Sequence, residues 1–474
     1  MNRFRVFAFA AALVASAGCS SSINTPAPVP TTSNNPGAAI QHVIVMFQEN
    51  RSFNNIFMGY PGAETSTTGA CAPFRPPGSQ KTYCADGQPV ALKPITLETC
   101  RCIGGFDIEH GHRAFETEYN GGKMDGFDAI HQGTVGIGPW AGLYPYAYVV
   151  RREVQPYWDL AGKYTLADHM FSTATTDSFV AHQEIIAGTT RLNSHESLTD
   201  TPSTIPWGCD NEIKSTTTGV ILTSGKVLPF GGPFPCFTQY KTMADVLDAA
   251  NVSWKFYVAP FQGDGADFSG GVWNGFDAIK AVRYGADWKA HISMPNTNVL
   301  KDLQNGTLPS VSWVIPVLAD SDHPASGNNK GPSWVTSVVN AVGKSPYWNS
   351  TAIVVLWDDW GGYYDGVPPP QLDYTSLGMR VPMIVISPFA KPHYISKTQY
   401  EFGSILKFIE QNFGTGSLGT SDVRANSIGD VFDFTQQAQR FQAIKAPYPE
   451  SYFLGHRTQP NPRAVLKHDR FVPD

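Results

Sequence analysis

Four short apolar runs recur along the chain with long gaps between them: 42-HVIVMF-47, 310-SVSWVIP-316, 352-AIVVLW-357 and 380-RVPMIVIS-387. They are rich in β-branched residues and apolar on both sides of the strand alternation, as parallel strands covered on both faces must be. Stretches with helical spacing lie between them, at 179–186, 240–250, 333–342 and 404–413. The pattern predicts an α/β fold, a three-layer α/β/α sandwich around a mostly parallel sheet. Two regions, about 60–105 and 191–240, are rich in Gly, Pro, Thr and Cys with weak periodicity. They read as insertions on one core, so residues 39–474 are expected to form a single domain. The pentapeptide GFDAI occurs at 126–130 and 275–279, too little to mark a repeat architecture.

Three of the apolar runs stop abruptly at polar groups. Glu49 and Asn50 follow the first, Asp358 and Asp359 follow 352-AIVVLW-357, and 319-ADSDHP-324 follows 310-SVSWVIP-316. In open α/β sheets, functional groups gather beyond the carboxyl ends of strands. An acidic pair at one strand end is ordinarily a helix cap or a solvated turn. Three such ends together instead point to one site, and carboxylates with an amide suit a hard divalent cation. In 172-STATTDSFVAHQEIIAG-188, Ser178 precedes a helical pattern. It is there either as an N-cap or as a hydroxyl beside a bound anion. The loop 106-FDIEHGHRAFETEYNGGKMDGF-127 adds His110 and His112, a spacing that by itself is weak evidence for metal.

Composition narrows the class. The 474 residues are 42% hydrophobic, with 44 Gly and 36 Pro, which indicates a loop-rich globular protein. A formal net charge of −6 without long charge runs leaves no basic surface for nucleic acid. Arg3 and Arg5 precede an apolar stretch at 6–17, the layout of an export signal. Its end, Ser16-Ala17-Gly18-Cys19, resembles a bacterial lipobox with Cys19 as the lipidated residue. Residues 20–38 then read as a flexible Ser/Pro/Thr tether. The expectation is an exported bacterial protein, either periplasmic, an outer-membrane lipoprotein or extracellular. Six further cysteines suit disulfides in that setting better than a zinc site. Cys209 and Cys236 bracket one excursion and are expected to pair; the partners of Cys71, Cys84, Cys100 and Cys102 stay open.

The segments 49-ENRSF-53, 120-NGGKMDGF-127, 322-DHP-324, 357-WDDWGGYYDGVPPP-370 and 380-RVPMIVISPFA-390 together resemble the bacterial phosphoesterase family that contains phospholipases C and a group of acid phosphatases. The resemblance runs from about residue 42 to 413. It implies an alkaline-phosphatase-like fold and hydrolysis of a phosphomonoester or a phospholipid, with a membrane surface as partner through the substrate or the lipid anchor. It further implies one divalent metal ion held by Glu49, Asn50, Asp358, Asp359 and Ser178. Ser178 falls on the family's nucleophile, and His110 and His323 on the histidines that face the leaving group. Asn50, His110 and His323 would bind the substrate's phosphate.

This chain departs from the family pattern at several positions. Trp360 and Gly366 stand where the family has histidines, and Val180 and Ala181 where it has Pro and Asn; 401-EFGS-404 replaces a late Asp-His-Thr-Ser. Other readings have their own sequence support. The replaced histidines fit a surface or binding lipoprotein that keeps the fold with reduced catalysis. The stretch 71-CAPFR-75 matches an arylsulfatase signal, although Pro76, Pro77 and Gly78 bar the helix it should open. A lipase-type elbow is excluded, because Ser178 lacks both flanking glycines. Trp313, Trp334, Trp357 and Trp360 would form either an apolar rim for lipid or ordinary core.

Overall fold

A computed structural model describes residues 39–98, 105–133, 138–263, 266–324 and 329–455. Its centre is an eight-stranded sheet built from β1 (His42–Gln48), β2 (Thr165–Ala167), β3 (Trp254–Tyr257), β4 (Ile292–Ser293), β5 (Val311–Val314), β6 (Thr351–Trp357), β7 (Met383–Ile386) and β8 (Tyr394–Ser396). The spatial order is β4-β3-β5-β1-β6-β7-β2-β8. All neighbouring pairs are parallel except those made by β7, which runs antiparallel to both β6 and β2. The apolar run at 380–387 had the composition of a covered parallel strand. Burial on both faces produces that composition in either direction, so the pattern carries no information about polarity.

The two longest strands, β1 and β6, pair over their full length from His42↔Thr351 to Gln48↔Trp357. Alternation sends successive side chains to opposite faces. On one face, Phe47 meets Phe402 of the helix Phe402–Phe413 and His182 of the helix Ser178–Ala187. On the other, Trp357 packs edge-on against Tyr157 of the helix Arg151–Lys163. The helix Gly331–Lys344 lies along that last helix. The result is the expected three-layer sandwich.

The stretch 191–240 forms a separate antiparallel sheet of four short strands, stapled by the expected Cys209–Cys236 disulfide. Cys71 pairs with Cys84, and Cys100 and Cys102 lie outside the described residues. The Cys71 thiol is therefore not available for oxidation to formylglycine, which removes the arylsulfatase alternative. Trp313, Trp334, Trp357 and Trp360 are all fully buried. They are core, and none forms a rim.

Candidate active site

The site begins with strand register. Because Gln48 sits opposite Trp357 on parallel neighbours, the residues that follow, Glu49-Asn50 and Asp358-Asp359, leave the sheet side by side. The Asp358 amide donates to Gln48 O at 3.1 Å, and the Asn50 amide donates to Asp358 Oδ1 at 3.0 Å. Asn50 has φ +59°, a left-handed conformation that Asn tolerates better than most residues. That turn brings its side chain back across the strand ends. The paired glycines after Trp360 make room for it: a Cβ on Gly361 would stand 2.2 Å from Asn50 O.

Ser178 arrives from the opposite side. It is the first residue of the helix Ser178–Ala187, and the N-cap position belongs to Asp177. Its hydroxyl is thus not used as a cap. Ser178 Oγ lies 3.2 Å from Asp359 Oδ2 and 3.4 Å from Glu49 Oε2, and it accepts from Asn50 Nδ2 at 3.2 Å. Asn50 Nδ2 also reaches His110 Nε2 at 2.9 Å and Asp359 Oδ2 at 3.1 Å. Two amide hydrogens serve three acceptors, so Asn50 is the hub of the cluster. His110 Nδ1 is bound to Ile108 O at 2.5 Å, which puts the ring proton on Nδ1 and leaves Nε2 as acceptor.

Burial dominates the electrostatics. Glu49, Asn50, Ser178, Asp358 and Asp359 are all buried, and no lysine or arginine forms an ion pair with Glu49 or Asp358 among the described residues. Burial, with the Asp358 and Asp359 charges adding to it, pushes the Glu49 carboxyl well above its usual range. Asp358 Oδ2 and Asn50 Oδ1 are buried oxygens without a hydrogen-bond partner among the described residues. Buried carboxylates are costly unless a proton or a cation compensates them. The oxygen-rich donor set and its orphaned atoms fit a divalent cation.

The third strand end contributes differently from expectation. Asp322 accepts from Tyr157 OH at 2.9 Å and Trp357 Nε1 at 3.1 Å, on the sheet face away from Ser178. Burial lifts its pKa to about 7; this carboxyl is part of the core. His323, one residue on, has its ring 5.9 Å from that of Trp273, which in turn stacks on His182. His323 Nδ1 bonds to Pro324 O at 2.6 Å. His112 turns away from His110 and bonds to Thr175, so the His-x-His pair is not a joint ligand. Trp360 closes the wall behind His110, donating its indole N–H to Glu118 Oε2 at 2.6 Å.

Sequence reasoning missed His182. Its Nε2 stands 2.8 Å from Glu49 Oε1, and the ligating atoms of Glu49, His182 and Asp358 all lie within 4.8 Å of one another. The available signal was spacing: i and i+4 share a helix face, so His182 had to accompany Ser178. Arg51, the next residue after Asn50, is a clamp. It donates to Asp322 O and Leu97 O and lies over the Tyr363 ring.

A model of the phosphoesterase family matches residues 40–416. Phospholipase C A of Mycobacterium tuberculosis is 27% identical over 435 residues, an alignment covering 83% of this chain and 76% of the relative. Hemolytic phospholipase C of Pseudomonas aeruginosa is 25% identical over 458 residues, covering 83% of this chain and 56% of the relative. A solved protein of the alkaline phosphatase superfamily from Vibrio parahaemolyticus aligns at 12% identity with a TM-score of 0.33, covering 56% of this chain and 63% of the other.

Proposed function

Because the chain belongs to the phosphoesterase family and is a phosphoric ester hydrolase, we propose that it works through Ser178 as nucleophile, in a centre organised by Asn50 and completed by one divalent cation. The observation that carries this reading is the convergence of Asn50, His110, Asp359 and Glu49 on or around one buried hydroxyl. Glu49, Asn50, Asp358, Asp359 and Ser178 would hold the cation. When bound, such an ion favours the ionised serine and offsets charge on a phosphate oxygen.

Ser178 Oγ attacks phosphorus, its proton passes to a neighbouring carboxylate, and the bond from phosphorus to the leaving oxygen breaks. His323, with its Nδ1–H fixed on Pro324 O, enters the cycle as the imidazolium, gives its Nε2 proton to the leaving alcohol and regains one from the attacking water. Water then cleaves the phosphoseryl ester and restores the hydroxyl. The Asn50 amide, already oriented toward Ser178, donates to an equatorial phosphate oxygen as charge spreads over it. His110, its Nδ1–H on Ile108 O and its Nε2 accepting from Asn50, holds that amide in place on the leaving-group side.

The substrate class proposed is a phospholipid diester, on the strength of relatives named as phospholipases C. An oxidising destination accords with the two disulfides. No helix of the described residues is long and apolar enough to cross a membrane, and the leader and Cys19 lie outside them. Export with a Cys19 lipid anchor is part of the proposal.

One experiment tests it: purified protein is stripped of metal, reloaded, and assayed on phosphatidylcholine vesicles and nitrophenyl phosphate beside Ser178→Ala. The expected result is metal-restored turnover in the wild type, none in the variant, and an acid-stable phosphoester on Ser178 after quenching. Full turnover in Ser178→Ala would end the serine mechanism. Activity on nitrophenyl phosphate alone would end the phospholipid reading.

A further inference from the structure

We infer that His182 is a nitrogen ligand in this centre, so that the cation site favours Zn²⁺ or Co²⁺ over Mg²⁺ and Ca²⁺; the inference rests on the cation-assisted reading above. Glu49, Asn50, Asp358, Asp359 and Ser178 offer oxygens alone, the donor set of a hard ion. An imidazole changes the class of metal, because nitrogen donors suit zinc and its first-row neighbours while magnesium and calcium prefer oxygen.

Three observations place the imidazole there. Its Nε2, 2.8 Å from Glu49 Oε1, belongs to a group of ligating atoms from Glu49, His182 and Asp358 that fit within 4.8 Å. Asp358 Oδ2, in the same group of side chains, is buried and has no hydrogen-bond partner among the described residues. The ring is also fixed, stacked at 5.0 Å on Phe47 from β1 and at 6.2 Å and 7° on Trp273. His182 Nδ1 has no hydrogen-bond partner among the described residues, so at that end of the ring the two aromatic faces hold its orientation.

Metal binding can be read without turnover. The metal-free full chain is titrated calorimetrically with Zn²⁺, Co²⁺, Mg²⁺ and Ca²⁺, beside His182→Ala and His182→Gln, and the Cu²⁺-loaded forms are examined by pulsed EPR for nitrogen coupling. Expected is tight binding of Zn²⁺ and Co²⁺ by the wild type and a loss of at least about tenfold in both variants, the scale at which groups that tune metal sites act. Mg²⁺ affinity should change by less than about twofold, and the nitrogen coupling should disappear. His182→Gln fills similar space, so it keeps the test valid where the alanine variant fails to fold. Unchanged Zn²⁺ affinity with retained nitrogen coupling in a folded variant overturns the ligand role while leaving the cation reading intact. A wild type that takes up no divalent ion overturns both.

Discussion

Asn50 concentrates the argument at the scale of single residues. Its left-handed backbone, its amide hub and its unpartnered carbonyl oxygen are three separate demands met by one side chain. Alanine there would confound two effects, because it tolerates a positive φ less well than asparagine does. Asn50→Gly keeps the backbone and removes only the amide. That variant should fold like the wild type, with kcat lowered by about 10²–10³-fold, the loss typical for one preorganised oxyanion donor. Steady-state kinetics beside circular dichroism checks it, and an unchanged kcat would remove Asn50 from the chemistry. Arg51 shows the opposite outcome. Nothing in the sequence assigns this guanidinium a role, and its donors go to Asp322 O, Leu97 O and Asn55 Oδ1 while its plane lies over Tyr363.

At the scale of elements, the site is a consequence of how β1 and β6 end together and how closely the next loop passes. Gly361 has φ +60° and no space for a Cβ against Asn50 O. Gly361→Ala should therefore displace both Asn50 and Asp359, lowering activity and melting temperature in the same variant. A melting curve and an assay on one sample suffice, and a wild-type profile in both would show that the contact relaxes freely. The helix that begins at Ser178 carries a second testable group at its other end. Glu184 is buried, and burial raises its pKa to about 8 despite the nearby Arg424. A negative charge in the last turn also opposes the helix dipole. Between its ordinary pKa of 4.5 and 8, the folded state keeps a proton that the unfolded state releases, so stability falls as pH rises through that window. Glu184→Gln should match the wild type near pH 5 and exceed it at pH 8 by about 2–4 °C or more. A constant difference across pH, read by scanning calorimetry, would contradict the raised pKa.

At the scale of the whole molecule, one large sheet carries the proposed site, and the segment 191–240 packs on it as a small stapled sheet, with Trp207 and Phe237 against Phe179. Cross-linking mainly limits the unfolded chain, with a sequence separation of 27 between Cys209 and Cys236. Replacing both by serine should cost about 2–4 kcal/mol in denaturant titration, with the catalytic cluster intact, since none of its residues lies in that segment. Loss of folding altogether would mean that the segment is integral to the core.

Much of this was legible in the chain. The apolar runs at 42–47, 310–316 and 352–357 identified β1, β5 and β6, because burial on both faces demands continuous apolar residues wherever a strand lies in the sheet. Short strands such as β2, β4 and β8 left no such trace, since two or three residues are too few to establish a period. The polar stops after β1 and β6 pointed to the proposed site, because only function or a turn explains charges at a buried strand end. What tertiary structure alone decided was partnership. Asp322 and Asp358 are alike in sequence, each an acid just past a buried strand. Strand order and side-chain direction commit the first to Tyr157 and Trp357 in the core and the second to Asn50. His182 joined the cluster by the same logic. Residue type and local spacing fix what chemistry a side chain can offer, while register and helix placement, which are non-local, determine which groups meet.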